Sequence, residues 1–322
     1  MRSTRSCSRT WRSSQRLAHA KSCLLPGAAA VLNAPFSNRG ARLPATTLTT
    51  MLHKQLGINP YPEGVKNCPM THSDGSRCGK PLSEFHAEVC RCLHSERTRR
   101  HTRLNLQHED LARHCGGHIG LGEPKLSLFF RARDEFKNTS SSLAGDRDIG
   151  LGPNGRYVVD YSVAAAVQQD LVEAAGTEPP GVAARNREAV KVKRLERYFH
   201  VEDMLVLVKF VAFVWETTGG IGPAAQELFG VMRDNYMAGY DMGGGNIDYG
   251  GAADKDKLAQ TKAERARRFQ WSIEGMAATI HQSVGLSTWL IQERCKAELA
   301  KQAVINHTEA RIGIGIRPQI AC

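Results

Sequence analysis

The spacing of hydrophobic and polar residues predicts alternating helices and strands over residues 96–303. Residues 96–115 place Leu104, Leu106 and Leu111 on one side of a helix and charged residues on the other. Residues 204–215 form an apolar, β-branched and aromatic run that is typical of a buried strand. The other predicted elements are a short strand or helix at 124–131, a hairpin strand at 156–163, helices at 164–174, 184–200 and 222–229, and one long or two shorter helices at 257–303.

The turn before residues 156–163 carries a specific local signal. Gly152-Pro153-Asn154-Gly155 stands between two runs of β-forming residues, which predicts a β-hairpin. Pro223 suits the first turn of the helix that follows the buried strand. The order of these elements predicts an α/β core with flanking helices. The chain has no run of about 18 uncharged apolar residues, and this disfavours a membrane-spanning protein.

The amino-acid composition is unusual mainly at the N-terminus. The chain of 322 residues has a net charge of +11, but its first 62 residues contain seven Arg, two Lys and no acidic residue. Because the rest is nearly balanced, the overall charge is no evidence that the body binds nucleic acid. Arginines recur every three to four residues over positions 2–16, as in a mitochondrial transit peptide. We therefore predict an unpacked basic leader over residues 1–55 and a mitochondrial location. The alternatives are an untargeted basic tail and a nuclear location.

Cysteine and histidine residues cluster between positions 68 and 94. Zinc is held tetrahedrally by thiolate and imidazole ligands. The predicted zinc ligands are Cys68, Cys78, His86 and Cys90, with Cys92 and His94 as further candidates. The nine-residue gap after Cys68 is wider than in a usual zinc knuckle, so the alternative is a set of free cysteines in a reducing compartment. A disulfide framework is disfavoured because nine is an odd number of cysteines and we find no secretory signal.

Three blocks follow one another along the body. The first is the Cys/His block with the basic residues 99–103, the second joins Arg147-Asp148-Ile149 to residues 158–163, and the third joins residues 193–198 to residues 210–222. Their order resembles the C-terminal end of non-LTR retrotransposon polyproteins, which carries a zinc knuckle and a restriction-like PD-(D/E)xK endonuclease domain after the reverse transcriptase. The resemblance spans residues 65–300. It implies a restriction-endonuclease-like mixed sheet with flanking helices.

The resemblance also implies how the chain is divided. The expected segments are the basic leader at 1–55, a zinc knuckle with a basic helix at 60–115, a restriction-endonuclease-like domain at 116–305 and a tail at 306–322.

Asp148 and Asp160 lie twelve residues apart across the predicted turn, which can bring both carboxylates to one end of the sheet. The resemblance implies that they bind Mg²⁺, which activates a water and stabilises charge on the scissile phosphate, and that Glu123 is an earlier acid. Ser162 stands where the family has its lysine, two residues after the second acid. Lys193 or Arg194 on the next helix is expected to replace that lysine. The alternative is that Asp148 caps a turn and Asp160 is a solvated strand residue.

Basic residues on predicted helices are the candidate nucleic-acid contacts, since cations bind a phosphate backbone without reading its sequence. These residues are Arg97, Arg99, Arg100, Arg103, Lys191 and Arg197. We therefore predict an endonuclease domain, with cleavage intact, weakened or lost, that binds DNA or RNA and uses Zn²⁺ and Mg²⁺. The alternative function is a non-catalytic nucleic-acid-binding or structural subunit of a mitochondrial ribonucleoprotein. Charge runs of this kind also occur as plain solvated helix faces.

Overall fold

The computed structural model describes residues 4–26, 28, 45–72, 74–89, 92–200, 208–238 and 255–315. The chain divides into two compact units. The sheet unit combines Met1–Arg42 with Thr98–His281, and the cysteine unit combines Leu43–Arg97 with Gln282–Cys322. The fold is mixed α/β, with helices flanking a mixed four-stranded sheet. No helix within the described ranges has both the length and the apolarity needed to cross a membrane.

The element bounds are as follows. The α-helices are α1 (Thr4–Ser22), α2 (Ala45–Gln55), α3 (His86–Val89), α4 (His94–His114), α5 (Lys137–Ser140), α6 (Val172–Thr177), α7 (Val182–Tyr198), α8 (Pro223–Met237) and α9 (Lys255–Gly315). The strands are β1 (His118–Gly122), β2 (Arg131–Ala132), β3 (Arg147–Gly150), β4 (Arg156–Ala164), β5 (Phe199–His200) and β6 (Val208–Glu216). The helices predicted around residues 96–115, 184–200 and 222–229 are thus confirmed as α4, α7 and α8.

The main sheet has the strand order β1-β3-β4-β6. β1, β3 and β4 are antiparallel neighbours, whereas β6 runs parallel to β4. Residues 151–155 connect β3 to β4, which confirms the predicted hairpin. Gly152 and Gly155 have φ angles of 58° and 96° in this connection, a region that favours glycine. The parallel step from β4 to β6 requires a crossover, and α6 and α7 lie within it.

Alternate residues of β4 face two different layers, as strand geometry requires. On one face, Val158 belongs to the same apolar cluster as Leu195 of α7. On the other face, the ring of Tyr161 lies 5.5 Å from His108 of α4 and 5.2 Å from Phe213 of β6, measured between centroids. β4 is therefore covered on both faces, and its polar residues lie beneath helices rather than in open solvent.

The leader prediction is wrong for the described part of that segment. In α1, the buried Ala18 belongs to an apolar cluster with Val182 and Val214. The Ser22 hydroxyl donates a buried hydrogen bond to the Glu216 carboxylate. Helix α2 also lies within the predicted leader. The acid-free composition describes only the charge of this segment, whereas its packing depends on small residues on the inner face of α1.

The predicted modules at 60–115 and 116–305 do not coincide with the two units. The cysteine unit ends within α4 and resumes within α9. Ile291 of α9 belongs to the same apolar cluster as Cys68 and Leu82. The Cys/His segment is thus completed by the C-terminal part of α9. Such a pairing of distant segments is not encoded in local sequence patterns.

Candidate active site and metal centre

Two carboxylates meet where β3 begins beside β4. The antiparallel register pairs Arg147 with Val159, and the amide of Asp146 donates to the Val159 carbonyl at 2.8 Å. This bond is offset by one residue from the register of the two strands, so Asp146 lies just outside β3. Oδ2 of Asp146 accepts a hydrogen bond from the amide of Tyr161 at 2.6 Å, which places this carboxylate beside the peptide bond that follows Asp160. The hairpin therefore presents a pair of acids at the end opposite to its turn.

Lys191 of α7 brings a buried positive charge to this pair. Its side chain is 9% exposed, and its Nζ forms an ion pair with the Asp160 carboxylate. The same ammonium donates to the backbone carbonyls of Asp160 and Tyr161 at 3.3 and 3.0 Å. A buried ammonium is tolerated only when it is paired and hydrogen-bonded. These contacts fix the position of Lys191 over the strand.

The position of Lys191 follows from the way α7 packs on β4. Four helical residues advance about 6 Å and two strand residues about 6.6 Å, so every fourth residue of the helix can meet every second residue of the strand. Lys191 accordingly contacts Asp160, and Arg187 Nε donates to Ser162 Oγ at 2.9 Å. Leu195, four residues further along α7, continues the series as an apolar contact.

His101 of α4 reaches the same acid pair. Its Nε2 lies 3.3 Å from Oδ2 of Asp146. That oxygen also accepts a hydrogen bond from the backbone amide of Tyr161 at 2.6 Å. The rings of Tyr161 and His101 are edge-to-face, with centroids 6.2 Å apart. We call His101, Asp146, Asp160 and Lys191 together the acid–lysine site.

Burial and charge perturb the acid–lysine site in opposite directions. Burial raises the pKa of Asp160 against the opposing charge of Lys191, and the neighbouring Asp146 adds to the increase. Burial also acts on Asp146, but the hydrogen bond and charge of His101 outweigh it and hold the pKa of that carboxyl below its usual value. Burial lowers the pKa of the Lys191 ammonium. Partly desolvated, mutually coupled groups of this kind are typical of functional sites.

Asp148 has a different partner. The β3–β4 register places it opposite Val158, two residues along the strand from the acid pair. Its carboxylate is 2% exposed and accepts two hydrogen bonds from Arg156, with Nε to Oδ1 at 2.7 Å. The predicted pairing of Asp148 with Asp160 is therefore corrected to Asp146 with Asp160. The cause is the length of the connection at 151–155, which sets the register of the hairpin.

The other predicted catalytic residues lie at exposed positions. The side chain of Glu123 is exposed, and its backbone amide donates to the Asp146 carbonyl at 3.2 Å. Lys193 and Arg194 are exposed on α7, where they line a surface depression. Lys191, which the sequence indicated only as a nucleic-acid contact, is the α7 residue that meets the acid pair.

The remaining predicted nucleic-acid contacts are distributed over two helices. Arg99 and Arg103 are exposed on α4, and Arg100 is half-buried there. Arg97 is half-buried and belongs to the cysteine unit. Arg197 is exposed near the end of α7. Arg99, Arg103 and Arg197 are thus the exposed members of this set.

The cysteine unit brings together four side chains with metal-binding chemistry. The ligand atoms of Cys68, Cys78, His86 and Cys92 all lie within 4.8 Å of one another. This confirms the predicted grouping of Cys68, Cys78 and His86. The fourth predicted ligand, Cys90, lies outside the described residues, and the fourth member of the observed cluster is Cys92. We call this group the Cys₃His cluster, and it can bind zinc.

A β-hairpin accounts for the wide gap between the first two cysteines. Bridges join Asn67 to Pro81 and Thr71 to Arg77. The amide of Cys68 donates to the Lys80 carbonyl, and that of Cys78 donates to the Met70 carbonyl, both at 2.8 Å. This register makes the two cysteines diagonal neighbours across the hairpin. The described residues between them, 69–72 and 74–77, therefore belong to the two sides of one hairpin.

The spacing of the Cys₃His cluster fits zinc. A zinc ion with Zn–S distances of about 2.3 Å has tetrahedral edges of about 3.8 Å. The Sγ atoms of Cys68 and Cys92 are 3.9 Å apart. Within the described residues, the buried Nε2 of His86 has no hydrogen-bond partner, as expected of a ring nitrogen that faces a metal. Four protein ligands complete a tetrahedral shell, which is the arrangement of structural zinc sites.

A scan against protein-family models found no match to this chain, and neither did a search of curated proteins.

Proposed function

We propose that the sheet unit is a divalent-metal-dependent endonuclease core related to the restriction-like domain of non-LTR retrotransposon polyproteins. The observation that carries this proposal is the acid pair Asp146–Asp160 at one end of a hairpin, with Lys191 buried against it. Nucleases of this class place acids at the end of a bent hairpin, next to a basic group. The mixed sheet with flanking helices is compatible with the same class.

The donor set suits a hard divalent cation. Mg²⁺ is bound in proteins through one or two carboxylates, with waters and substrate phosphates completing its shell. Asp146 and Asp160 would therefore hold it. When bound, the ion supplies an activated water and stabilises the charge that builds on the scissile phosphate.

Lys191 supplies the positive charge that Ser162 lacks. Ser162 faces the same side of β4 as Asp160 because side chains alternate along a strand. Lys191 reaches this side from α7, so that its ammonium lies beside the acid pair. Arg187 is held beside it by Ser162, and its guanidinium is suited to binding phosphate oxygens in pairs. Both cations come from one helix, four residues apart.

For the cysteine unit we infer a structural zinc site. A site with four protein ligands has no open position for a substrate, so its contribution is to the fold of that unit. The exposed Arg99, Arg103 and Arg197 would add phosphate contacts that are independent of sequence. Binding through such contacts weakens steeply as salt concentration rises.

The test of the proposed function is cleavage of supercoiled plasmid by the purified full chain with Mg²⁺ or Mn²⁺. We expect the wild type to nick the plasmid and Asp160→Asn to lose at least ~10³ in rate, because removing a metal-binding acid costs several kcal/mol of transition-state stabilisation. Asp148→Asn is the matched control on the same hairpin, and it should retain cleavage in whatever fraction of the protein folds.

The alternative function predicts a different result. If wild type and Asp160→Asn are equally inert with both metals, yet the wild type binds DNA or RNA with strong salt dependence, the chain is a non-catalytic binding module. A role in a mitochondrial ribonucleoprotein is then the better proposal.

A further inference from the structure

A depression lies on the outer face of α7. Val190, Arg194 and Arg197 line it and are spaced four and three residues apart, so they share one face of the helix. All three side chains are exposed, whereas Lys191 lies on the side of α7 that is turned toward β4. The depression has a volume of about 570 Å³, within the range of about 300–1,000 Å³ that is usual for small-ligand sites.

One side chain of this face rests on two aromatic rings. The guanidinium carbon of Arg197 lies 5.6 Å from the ring centroid of Tyr198 and 5.8 Å from that of Phe136. The two rings are edge-to-face, with centroids 5.1 Å apart. A cation within about 6 Å of an aromatic centroid is attracted to the ring. Arg197 is thus held against two half-buried rings while its side chain stays exposed.

Hydrogen bonds to the backbone hold these rings in place. The amide of Arg133 donates to the Tyr198 carbonyl at 2.9 Å, and Arg133 Nε donates to the Glu196 carbonyl at 2.9 Å. These bonds join the segment before Phe136 to the end of α7. Tyr198 also packs against the apolar cluster that contains Leu195. The surface is therefore pre-organised, which lowers the entropy that a ligand must overcome on binding.

The positive charge of this face has no countercharge among the described residues. Arg194 and Arg197 form no ion pair there, although Glu196 lines the same depression. By contrast, Arg185 of the same helix pairs with Glu178 at 3.5 Å. A phosphate group would supply the countercharge through charge-assisted hydrogen bonds. A guanidinium backed by aromatic rings, next to a second arginine, suits a ligand that has both a flat ring and a phosphate.

We propose that Phe136, Arg197 and Tyr198 form a stacking site for an unpaired base of single-stranded nucleic acid, and that Arg194 binds an adjacent phosphate. The inference rests on the proposed function for the class of the ligand, a nucleic acid, and it does not require cleavage. Unpaired bases stack on aromatic rings and on guanidinium planes, whereas the bases of a duplex are already stacked on one another. The site therefore discriminates in favour of unpaired bases.

The first measurement is fluorescence anisotropy of labelled oligo(dT) with the purified full chain, without added Mg²⁺ or Mn²⁺ so that the strand is not cleaved. An abasic strand of the same length has the same phosphates and no bases. We expect the wild type to bind oligo(dT) at least about fivefold more tightly than the abasic strand, as expected for one stacked base.

Arg197→Lys keeps the charge but lacks the planar guanidinium. It should weaken oligo(dT) binding at least about fivefold, to nearly the affinity of the abasic strand, and should weaken binding of a duplex of the same length less. Arg233→Lys is the matched control, since Arg233 is an exposed arginine of α8 that pairs with Asp234. It should bind oligo(dT) as the wild type does.

The second measurement separates stacking from charge through the salt dependence of oligo(dT) binding. Arg194→Gln removes a phosphate contact, so the slope of log affinity against log salt concentration should become shallower by about 0.7. Arg197→Lys should keep the slope of the wild type because it keeps the charge. An unchanged slope in Arg194→Gln would contradict the phosphate role of Arg194.

The remaining outcomes separate this inference from the proposed function. If oligo(dT) and the abasic strand bind equally, or if Arg197→Lys weakens both to the same extent, the stacking site is wrong even where plasmid cleavage succeeds. If the difference is present and depends on Arg197 but no cleavage occurs, the stacking site stands and the endonuclease proposal fails. If poly-glutamate displaces labelled oligo(dT) as effectively as unlabelled oligo(dT) does, the face is a general site for acidic chains and the inference is overturned.

Discussion

His108 is a fully buried ionisable group in the aromatic layer that α4 packs against β4. Its Nδ1 is hydrogen-bonded to the Tyr161 hydroxyl, and its ring centroid lies 4.4 Å from that of Phe213. Burial lowers the pKa of His108 to about 3. The imidazole is therefore neutral in the folded protein under ordinary conditions, and folding excludes its protonated form.

This burial makes the stability of the sheet unit depend on pH. An unfolded histidine has a pKa of about 6.5, so at lower pH the unfolded chain binds a proton that the folded chain does not. The contribution of the buried, neutral His108 to the free energy of unfolding is fully present above about pH 6.5. It is lost as the pH falls toward 3, by at most about 1.4 kcal/mol per pH unit. As the pH is lowered, the free energy of unfolding measured by urea denaturation should fall less steeply in His108→Phe than in the wild type. Parallel profiles would contradict this expectation.

The identity of the fourth ligand in the Cys₃His cluster can be tested by metal content. We expect Cys92→Ser to purify with much less than one zinc per chain, because a serine hydroxyl is a poor replacement for a thiolate. Cys90→Ser should keep its zinc, since the cluster is complete without Cys90. Mass spectrometry of metal content decides between them. Zinc loss from Cys90→Ser, with retention in Cys92→Ser, would show that the ligand set is wrong.

Individual residues of the acid–lysine site were only partly predictable from the sequence. Asp160 could be identified because it lies in a strongly β-forming run after a turn signal. Asp146 was missed because its partner depends on the hairpin register, which a glycine-containing connection can set in more than one way. The sequence does contain a feature that would have identified Lys191 as a buried residue. It lies in the apolar stripe of α7 between Ala184 and Leu195, and a lysine there is buried and paired.

At the scale of elements, α1 contributes more to the fold than its composition indicates. The Glu216 carboxylate at the end of β6 is fully buried. It accepts hydrogen bonds from the Ser22 hydroxyl and from the amide of Ala184 at 3.1 Å. A buried carboxylate that loses a hydrogen-bond donor has a large desolvation penalty. The contact of Ser22 with Glu216 therefore couples α1 to the core of the sheet unit.

Ser22→Ala should lower the free energy of unfolding by about 1–3 kcal/mol, because it removes one donor from a buried charged group. Leu17→Ala on the same helix is the control, since Leu17 is 49% exposed and its replacement should change stability by at most about 0.5 kcal/mol. Chemical denaturation of both variants checks the difference. Equal, small effects would mean that α1 is not part of the stable fold.

Elements with strong local periodicity could be predicted, and those that depend on distant partners could not. The alternation in residues 156–163, the apolar run at 204–215 and Pro223 each specify an element through their own residues. The packing of α1 and the completion of the cysteine unit by α9 depend on residues more than a hundred positions away. Local sequence patterns do not specify which distant segment such a helix packs against.

At the scale of the whole molecule, each unit is assembled from segments that lie far apart in the sequence. The sheet unit contains the acid–lysine site, and the cysteine unit contains the Cys₃His cluster. The positive charge is concentrated in the first 62 residues, so the net charge of the chain does not indicate which surface of the body would bind a ligand. In the sheet unit, the cation proposed to act in place of the lysine absent from position 162 is Lys191, which is buried against Asp160.

The most direct test of that claim is plasmid nicking by Lys191→Met compared with Lys193→Met. The two lysines are two residues apart on α7, but Lys191 is buried against Asp160 whereas Lys193 is exposed. Our account predicts that Lys191→Met loses at least about 10² in cleavage rate, as expected when a charge-stabilising group is removed, while Lys193→Met cleaves nearly as fast as the wild type. Circular dichroism is the check that both variants are folded. Equal cleavage by the two variants, or loss of cleavage only in Lys193→Met, would contradict the assignment of Lys191 to the active site.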